Sequence, residues 1–483
     1  MMSSYKKFTK DIGLAGIAQI VATLKGLILL PILTKTLGAE SYGIWAQILA
    51  TVSLLMPLAL LQLGFAMTRF LAAETDKAKI SKGVSSIFVA SSFTAFALSL
   101  LIFIFAEPLA VTVFGGAGAA YFVKLAALLV LLMTLDQVII EYFVAFRQME
   151  RYAVFSILQT VGEVLLIGYL VLSGYGLFGA ILSLLVVKVI VFAAGVLVVG
   201  REVRVSKPSV AVIKSYLEFS LPLLPFALCV WIVNLSDRYV IGYFVGIEAV
   251  GIYSAAYGLG SLVAFFSAPL STVLLPTITN LYENNKIQEL KTHLQYSLKF
   301  YLMFAIPSLF GLSILSKSVL RTLTTSEFVS GYLIVSIIAL ATILLKCNII
   351  NANLLILFKK TKMLGSVYLI SASINMAMNI ILVPIVGILG AAIATLVTFA
   401  IHLSIFSIIV FRRFPYDIDL KFIIKSVTAS SIMSLIILKL NPIGATNILI
   451  SIVVATAIYF GILVLLKGFT KEEYAFLKSI IKK

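Results

Sequence analysis

Charge is what this chain has least of. Only 12% of its 483 residues are Asp, Glu, Lys or Arg, about half the share in ordinary soluble domains. That excludes a water-soluble globular fold. Acid is scarcer than base, with 20 Asp and Glu against 37 Lys and Arg. Histidine occurs at two places, His293 in a polar gap and His402 inside an apolar run, and neither stands near a nucleophile pattern. An enzyme that gathers acids and histidines at one loop is therefore not expected. Cysteine also occurs twice, as Cys229 and Cys347, both within apolar runs. They have no metal or disulfide spacing and read as packing residues. No gap between apolar runs is long enough for a soluble domain. The gap 107–121 carries Gly115, Gly116 and Gly118 but lacks the Gly-Lys-Ser/Thr ending of a phosphate loop, so it reads as a flexible turn. No small-residue cleavage site follows the first apolar run, which reads as a retained helix.

What the chain has in excess is hydrophobic length, 61% of residues with a mean hydropathy of +1.13. Apolar runs cover 12–33, 44–70, 84–106, 122–146, 152–173, 178–199, 216–236 and 250–275, and continue at 300–315, 332–357, 363–383, 388–411, 422–438 and 448–466. Most approach or exceed the roughly 20 residues needed to cross a bilayer, giving an all-α polytopic membrane protein of about fourteen helices. The net charge of +17 does not indicate nucleic acid, because the cations are scattered as loop anchors. They fall on alternate gaps: Lys77, Lys79 and Lys82, then Arg147 and Arg151, Arg201 to Lys214, Lys286 to Lys299, Lys359 to Lys362, and Arg412 to Lys425. The opposite gaps hold only Lys35, Lys124, Arg238, Lys317, Arg321 and Lys439. Because cytoplasmic loops retain positive charge, both termini are expected in the cytoplasm of a multi-pass inner-membrane protein. The residues after 466 alternate basic with apolar positions, as an amphipathic helix on the inner leaflet would.

A repeat is visible within the chain. Gly38, Glu40, Gly43, Ile44 and Trp45 match Gly246, Glu248, Gly251, Ile252 and Tyr253 in spacing. Gly176, Gly179 and Ala180 match Gly387, Gly390 and Ala391 at nearly the same offset. Six helices separate the copies, an even number, so the two repeats run parallel about an axis along the membrane normal. The expected organisation is a six-helix lobe over 1–200, a second over 201–420, and two extra helices with a basic tail over 421–483.

The segment from Leu30-Pro31 through Thr34, Gly38, Glu40 and Tyr42 to Gly43, and the stretch from Leu235, Asp237, Arg238 and Tyr239 to Gly251–Ser254, resemble a known family. They are similar to polysaccharide flippases of the multidrug/oligosaccharidyl-lipid/polysaccharide exporter superfamily. The resemblance implies lobes like those of the multidrug (MATE) exporters. It also implies a substrate, a polyprenyl-pyrophosphate-linked oligosaccharide moved across the cytoplasmic membrane by alternating access for O-antigen, capsule or exopolysaccharide synthesis. Glycosyltransferases and a polysaccharide polymerase would be its partners, along with membrane lipid but not nucleic acid, and no cofactor is implied.

Ionisable residues inside spans are costly, about 2.5–3.5 kcal/mol each at mid-bilayer, so each needs a partner or a wet surrounding. Lys25, Arg69, Lys346, Asn234 and Arg238 are the candidate substrate-binding residues. Ammonium and guanidinium groups hold pyrophosphate oxygens by charge-assisted hydrogen bonds. The alternative for Lys25 is neutralisation of a buried carboxylate, and for Arg69 snorkelling to headgroups. Asp136, Glu163 and Lys188 lie at similar depth in one lobe. They either pair structurally or bind a coupling proton or sodium ion. Pro222, Pro225, Pro269 and Pro276 are expected bends. A competing function is an ion-coupled exporter of drugs or organic cations, which needs carboxylates rather than cations at its site.

Overall fold

The computed structural model describes residues 2–440 and 442–469, with the side chains at 2–12, 15, 269, 271 and 272 left out of the description. From residue 470 on, the expected basic tail lies outside the described residues. Among the described residues all regular structure is helical. The first stretch holds α1 (Met2–Leu60), α2 (Leu63–Leu71), α3 (Lys77–Ile104), α4 (Ala106–Val113), α5 (Ala120–Ala145) and α6 (Met149–Leu170). There follow α7 (Gly176–Glu202), α8 (Val210–Ser220), α9 (Leu224–Phe244), α10 (Ile247–Gly260), α11 (Ala268–Glu283) and α12 (Ile287–Leu323). The chain continues with α13 (Tyr332–Leu357), α14 (Thr361–Val386), α15 (Ile388–Phe411), α16 (Leu420–Leu440) and α17 (Ala445–Leu465).

Twelve helical stretches among the described residues are long and apolar enough to cross a membrane. Two of them, Gly16–Leu60 at 45 residues and Met149–Glu202 at 54, far exceed one crossing. Each is broken at glycine. Gly38 has φ 72 and ψ 177 inside α1, and Gly174 (φ 92) and Gly176 (φ 53) interrupt the passage from α6 to α7. Side chains disfavour these angles and glycine does not, so the turns are written in the sequence. The repeat recurs in the backbone: Gly246 has φ 114 and Gly387 φ 66, and Arg147 after α5 (φ 53) is matched by Lys359 after α13 (φ 56).

Proline sets the other interruptions. A 3-10 turn at Leu221–Leu223 separates α8 from α9, with Pro222 inside it and Pro225 opening α9. A second, Ser261–Ser267, separates α10 from α11. Pro276 sits inside α11 without ending it. The gap 107–121 is not simply the flexible turn expected: α4 fills its first half and a 3-10 turn, Ala117–Ala119, follows the glycines. Its Ala106 and Ala110 are fully buried, so one small-residue face anchors the segment.

The chain divides into two compact units, one of Met1–Ser254 with Tyr368–Ala391 and the other of Ala255–Val367 with Ala392–Lys483. These do not follow the 1–200, 201–420 and 421–483 division, because that division tracks sequence register and the units track packing. In the first unit Leu63, Met67, Phe143 and Tyr216 form one core with Val138 and Val187. In the second, Met303, Phe422, Met433 and Tyr459 join α12, α16 and α17. Outward-facing side chains are apolar to a degree no aqueous surface tolerates: Phe93 is 73% exposed, Tyr169 68% and Ile385 75%. Hydrocarbon is their solvent. The protein is a multi-pass membrane protein.

Candidate functional site

The mid-helix charges of the first unit are paired. Lys25 of α1 places Nζ 2.6 Å from Glu163 Oε2 on α6. Gln159 donates to the other oxygen at 3.0 Å. The lysine keeps one third of its side chain exposed while the glutamate is buried. Lys188 of α7 meets Asp136 Oδ2 of α5 at 2.6 Å with both side chains buried. Glu163 thus belongs to Lys25, not to the Lys188 cluster. Asp136 Oδ1 has no hydrogen-bond partner among the described residues. Pairing of this kind offsets the burial of each charge, at the expense of desolvating both.

Arg238 is likewise engaged. Its guanidinium donates to Asp237 Oδ1 at 2.7 Å and to the Asn234 carbonyl at 2.9 Å. Tyr253 Oη donates to Asp237 Oδ2 at 2.5 Å, and its ring lies 5.6 Å from the Arg238 guanidinium. The Asn234 amide turns back onto the Val230 carbonyl one turn earlier. Arg69 ends α2 exposed, with its guanidinium 4.8 Å from the Phe219 ring and 5.9 Å from that of Phe70. That stacking holds the Arg69 cation with no ion-pair partner among the described residues.

The second unit treats its mid-helix cation differently. Lys346 lies just past the middle of α13, half-buried, with no hydrogen-bond or ion-pair partner among the described residues. Positions 335, 339, 342, 346, 349, 353 and 356 recur three or four residues apart and so share one helix face. Along that face Val335, Ala339 and Thr342 are buried, Lys346, Ile349 and Asn353 are half-buried, and Ile356 is 39% exposed. The face therefore opens progressively toward the basic gap at Lys359 and Lys360. Another face of α13 exposes only apolar side chains, Leu333 at 44% and Leu340 at 38%. Asn353, two turns from Lys346 on the polar face, also has no partner among the described residues. Behind it, Asn351 donates to Asn348 Oδ1 at 3.4 Å and Ser407 Oγ at 3.3 Å, and accepts from Tyr416 at 3.3 Å. These weak, long bonds make a buried polar seam.

Residues 8–282, more than half of the chain, match the family described as polysaccharide biosynthesis protein. The chain belongs to this family. Residues 249–481 also match the lipid II flippase MurJ family. Among curated relatives, the probable low-salt glycan biosynthesis flippase Agl15 of Haloferax volcanii is 26% identical over 300 residues, 61% of this chain and 62% of that one. The chain thus spans about three fifths of that relative's length. The succinoglycan biosynthesis transport protein ExoT of Rhizobium meliloti is 26% identical over 347 residues, 71% of this chain and 68% of that one. Among solved structures, the lipid II flippase MurJ in an inward closed conformation superposes with a TM-score of 0.77 at 18% identity, covering 93% of this chain and 98% of that one. The likeness is one of fold.

Against this polysaccharide-family frame, the structure brings together Lys25 with Glu163, Lys188 with Asp136, and Arg238 with Asn234. Arg69 and Lys346 belong to none of these three groups. Asn353 is one of the flanking amides, with Asn348, Asn351, Asn375 and Asn379, that the sequence offers either for sugar hydroxyls or for bonds between helices; its seven-residue spacing from Lys346 puts the two on one helix face. Glu141 is held by the Gln137 amide at 2.9 Å. It fills the space that a side chain at Gly64 of α2 would take.

Proposed function

We propose that this member of the polysaccharide family is a flippase for a polyprenyl-pyrophosphate-linked oligosaccharide. The observation that carries the reading is Lys346, a partly exposed intramembrane ammonium without a counter-ion among the described residues. A lysine turned into hydrocarbon costs about 2.5–3.5 kcal/mol, so the polar face of α13 fronts water or an anionic ligand. A pyrophosphate supplies the missing charge, and Asn353 offers donor and acceptor groups for a sugar hydroxyl. Its relatives' glycan-flippase and glycan-transport names support this class over exporters of organic cations. A cation substrate needs acid that no cation holds; Asp136, Glu163 and Asp237 are each bonded to a cation, which leaves Glu141, bonded to the Gln137 amide, as the acid on which that competing reading would rest.

The head group would enter from the cytoplasm and leave outside by alternating access, in the inner membrane with both termini cytoplasmic, as the basic loops indicate. Lys25 and Glu163 supply a coupling device: substrate phosphate would displace the Glu163 carboxylate, and the ammonium would pass from one anion to the other. Surface polysaccharide synthesis (O-antigen, capsule or exopolysaccharide) gives the product a destination, with glycosyltransferases and a polymerase acting before and after. Reconstitution in liposomes with a fluorescent polyprenyl-pyrophosphate oligosaccharide tests the reading. Leaflet exchange is expected from the native protein and at least a tenfold loss from Lys346→Gln at equal incorporation. Unchanged exchange in that variant would remove Lys346 from the site.

A further inference from the structure

The two copies of the Gly-x-Glu-x-x-Gly repeat not only resemble each other; within the first unit they touch. A side chain at Gly43 would overlap the carbonyl oxygen of Ile247 and stand 3.1 Å from the Gly251 amide nitrogen. One at Gly251 would overlap the carbonyl oxygen of Ala39 and stand 3.0 Å from the Gly43 nitrogen. The contact is reciprocal: Ala39 corresponds to Ile247 and Gly43 to Gly251. Both glycines are buried. Each copy has the same construction. A positive-φ glycine, Gly38 or Gly246, starts a helix, an exposed glutamate, Glu40 or Glu248, sits in its first turn, and a second glycine lets the backbones meet.

From this point inward the seam is closed by polar contacts between the second half of α1 and α9. Trp231 Nε1 donates to the Ala50 carbonyl at 3.1 Å. The Thr51 and Tyr239 hydroxyls share a 2.6 Å hydrogen bond, and the Trp231 and Tyr239 rings meet edge to face at 5.4 Å. The Asp237–Arg238–Tyr253 cluster locks α9 to α10. The glycine contact lies at the end of these helices away from the basic loops. That end is the outer one by the charge rule.

We propose that the Gly43–Gly251 contact is the outer gate of the transport cycle, and that the repeated motif supplies its two leaves. This rests on the flippase reading for its role in transport, though not for its existence. Glycine is required because the closed state needs backbone against backbone. Few and separate hydrogen bonds beneath it allow the seam to part without unfolding a helix.

The test uses the full-length protein with Cys229 and Cys347 replaced by alanine and a single reporter, Ala50→Cys, which is 2% exposed in the closed seam. A membrane-impermeant thiol reagent is added from either side. Slow labelling from outside is expected, rising at least tenfold with Gly43→Leu or Gly251→Leu. The control Gly258→Leu, where an added Cβ meets nothing within 4 Å, should leave the rate unchanged. Unchanged labelling in well-folded Gly43 and Gly251 variants would overturn the gate. If those variants fail to accumulate, a second measurement decides. Thr51→Cys with Tyr239→Cys is bridged by a short reducible bis-thiol reagent. Bridging should lower leaflet exchange at least tenfold, with recovery on reduction. Full exchange in the bridged protein would overturn the gate. Labelling needs no substrate, so failure of the flippase reading shows separately, as absence of exchange before bridging.

Discussion

In the first unit Lys25, Lys188 and Arg238 each rest against a carboxylate, whereas Lys346 of the second has none within bonding distance among the described residues. The contrast separates two uses of intramembrane charge. A cation with a fixed partner is solved structurally, and its removal strands an acid. A cation without one is either strained or awaiting a ligand, and its removal strands nothing. Lys25 stands between these extremes. Its carboxylate is buried but its own side chain is one third exposed.

The sharpest break of the comparison is Lys188→Ala. It leaves Asp136 buried with one oxygen already unpartnered, and should lower stability by about 3–5 kcal/mol. Unfolding of purified protein in detergent measures this. The double variant Lys188→Met with Asp136→Leu should recover most of the loss, and failure to recover would mean the pair does more than cancel charge. Lys346→Met is the opposite case. Its melting temperature should hold or rise, because a desolvated cation disappears, even though exchange is lost. A marked fall in melting temperature would reveal a counter-charge and dissolve the contrast. Glu163→Gln is intermediate. It keeps the Gln159 contact, frees Lys25, and should cost about 1–3 kcal/mol as a charged hydrogen bond is lost. Unfolding in detergent measures this too, and an unchanged melting temperature would mean that the bridge adds nothing to the fold.

Much of this contrast could be read before any coordinates. Apolar length fixed the helical class, and the depth of Lys25, Asp136, Glu163 and Lys188 marked them as a group needing partners. Depth alone could not say which acid takes which lysine. That depends on the rotation of α1, α5, α6 and α7 about their axes, which is a product of packing. The glycine motif was visible as a repeat, but two copies in one chain carry no sign of whether they touch. The α4 helix was missed because Glu107, Pro108 and the glycines after it have a turn's composition, while its two buried alanines are too few to show periodicity. Asn353 was legible as an amide for sugar hydroxyls or interhelical bonds, but the half-open face it shares with Lys346 depends on packing.

The smallest effect belongs to a pair at the edge of the second unit. Lys299 of α12 meets Asp419 Oδ2 at 3.1 Å, just before α16, and the Phe422 amide donates to Oδ1 at 2.9 Å. Burial pushes the Asp419 carboxyl up, but that amide and the Lys299 ammonium outweigh it and hold the group below its ordinary value of 3.8. A depressed folded value means the ionised carboxylate stabilises the fold. The contribution is complete above the unfolded value and disappears as pH falls through the folded one. The gain is about 1 kcal/mol or less, since Asp419 keeps 27% of its side chain exposed. Asp419→Asn should therefore melt slightly lower than the native protein at pH 7 and indistinguishably from it once pH falls well below 4. A gap that persists in acid would mean the residue acts through its shape as the lead-in to α16, and the pair would then resemble neither the fixed bridges of the first unit nor the free lysine of the second.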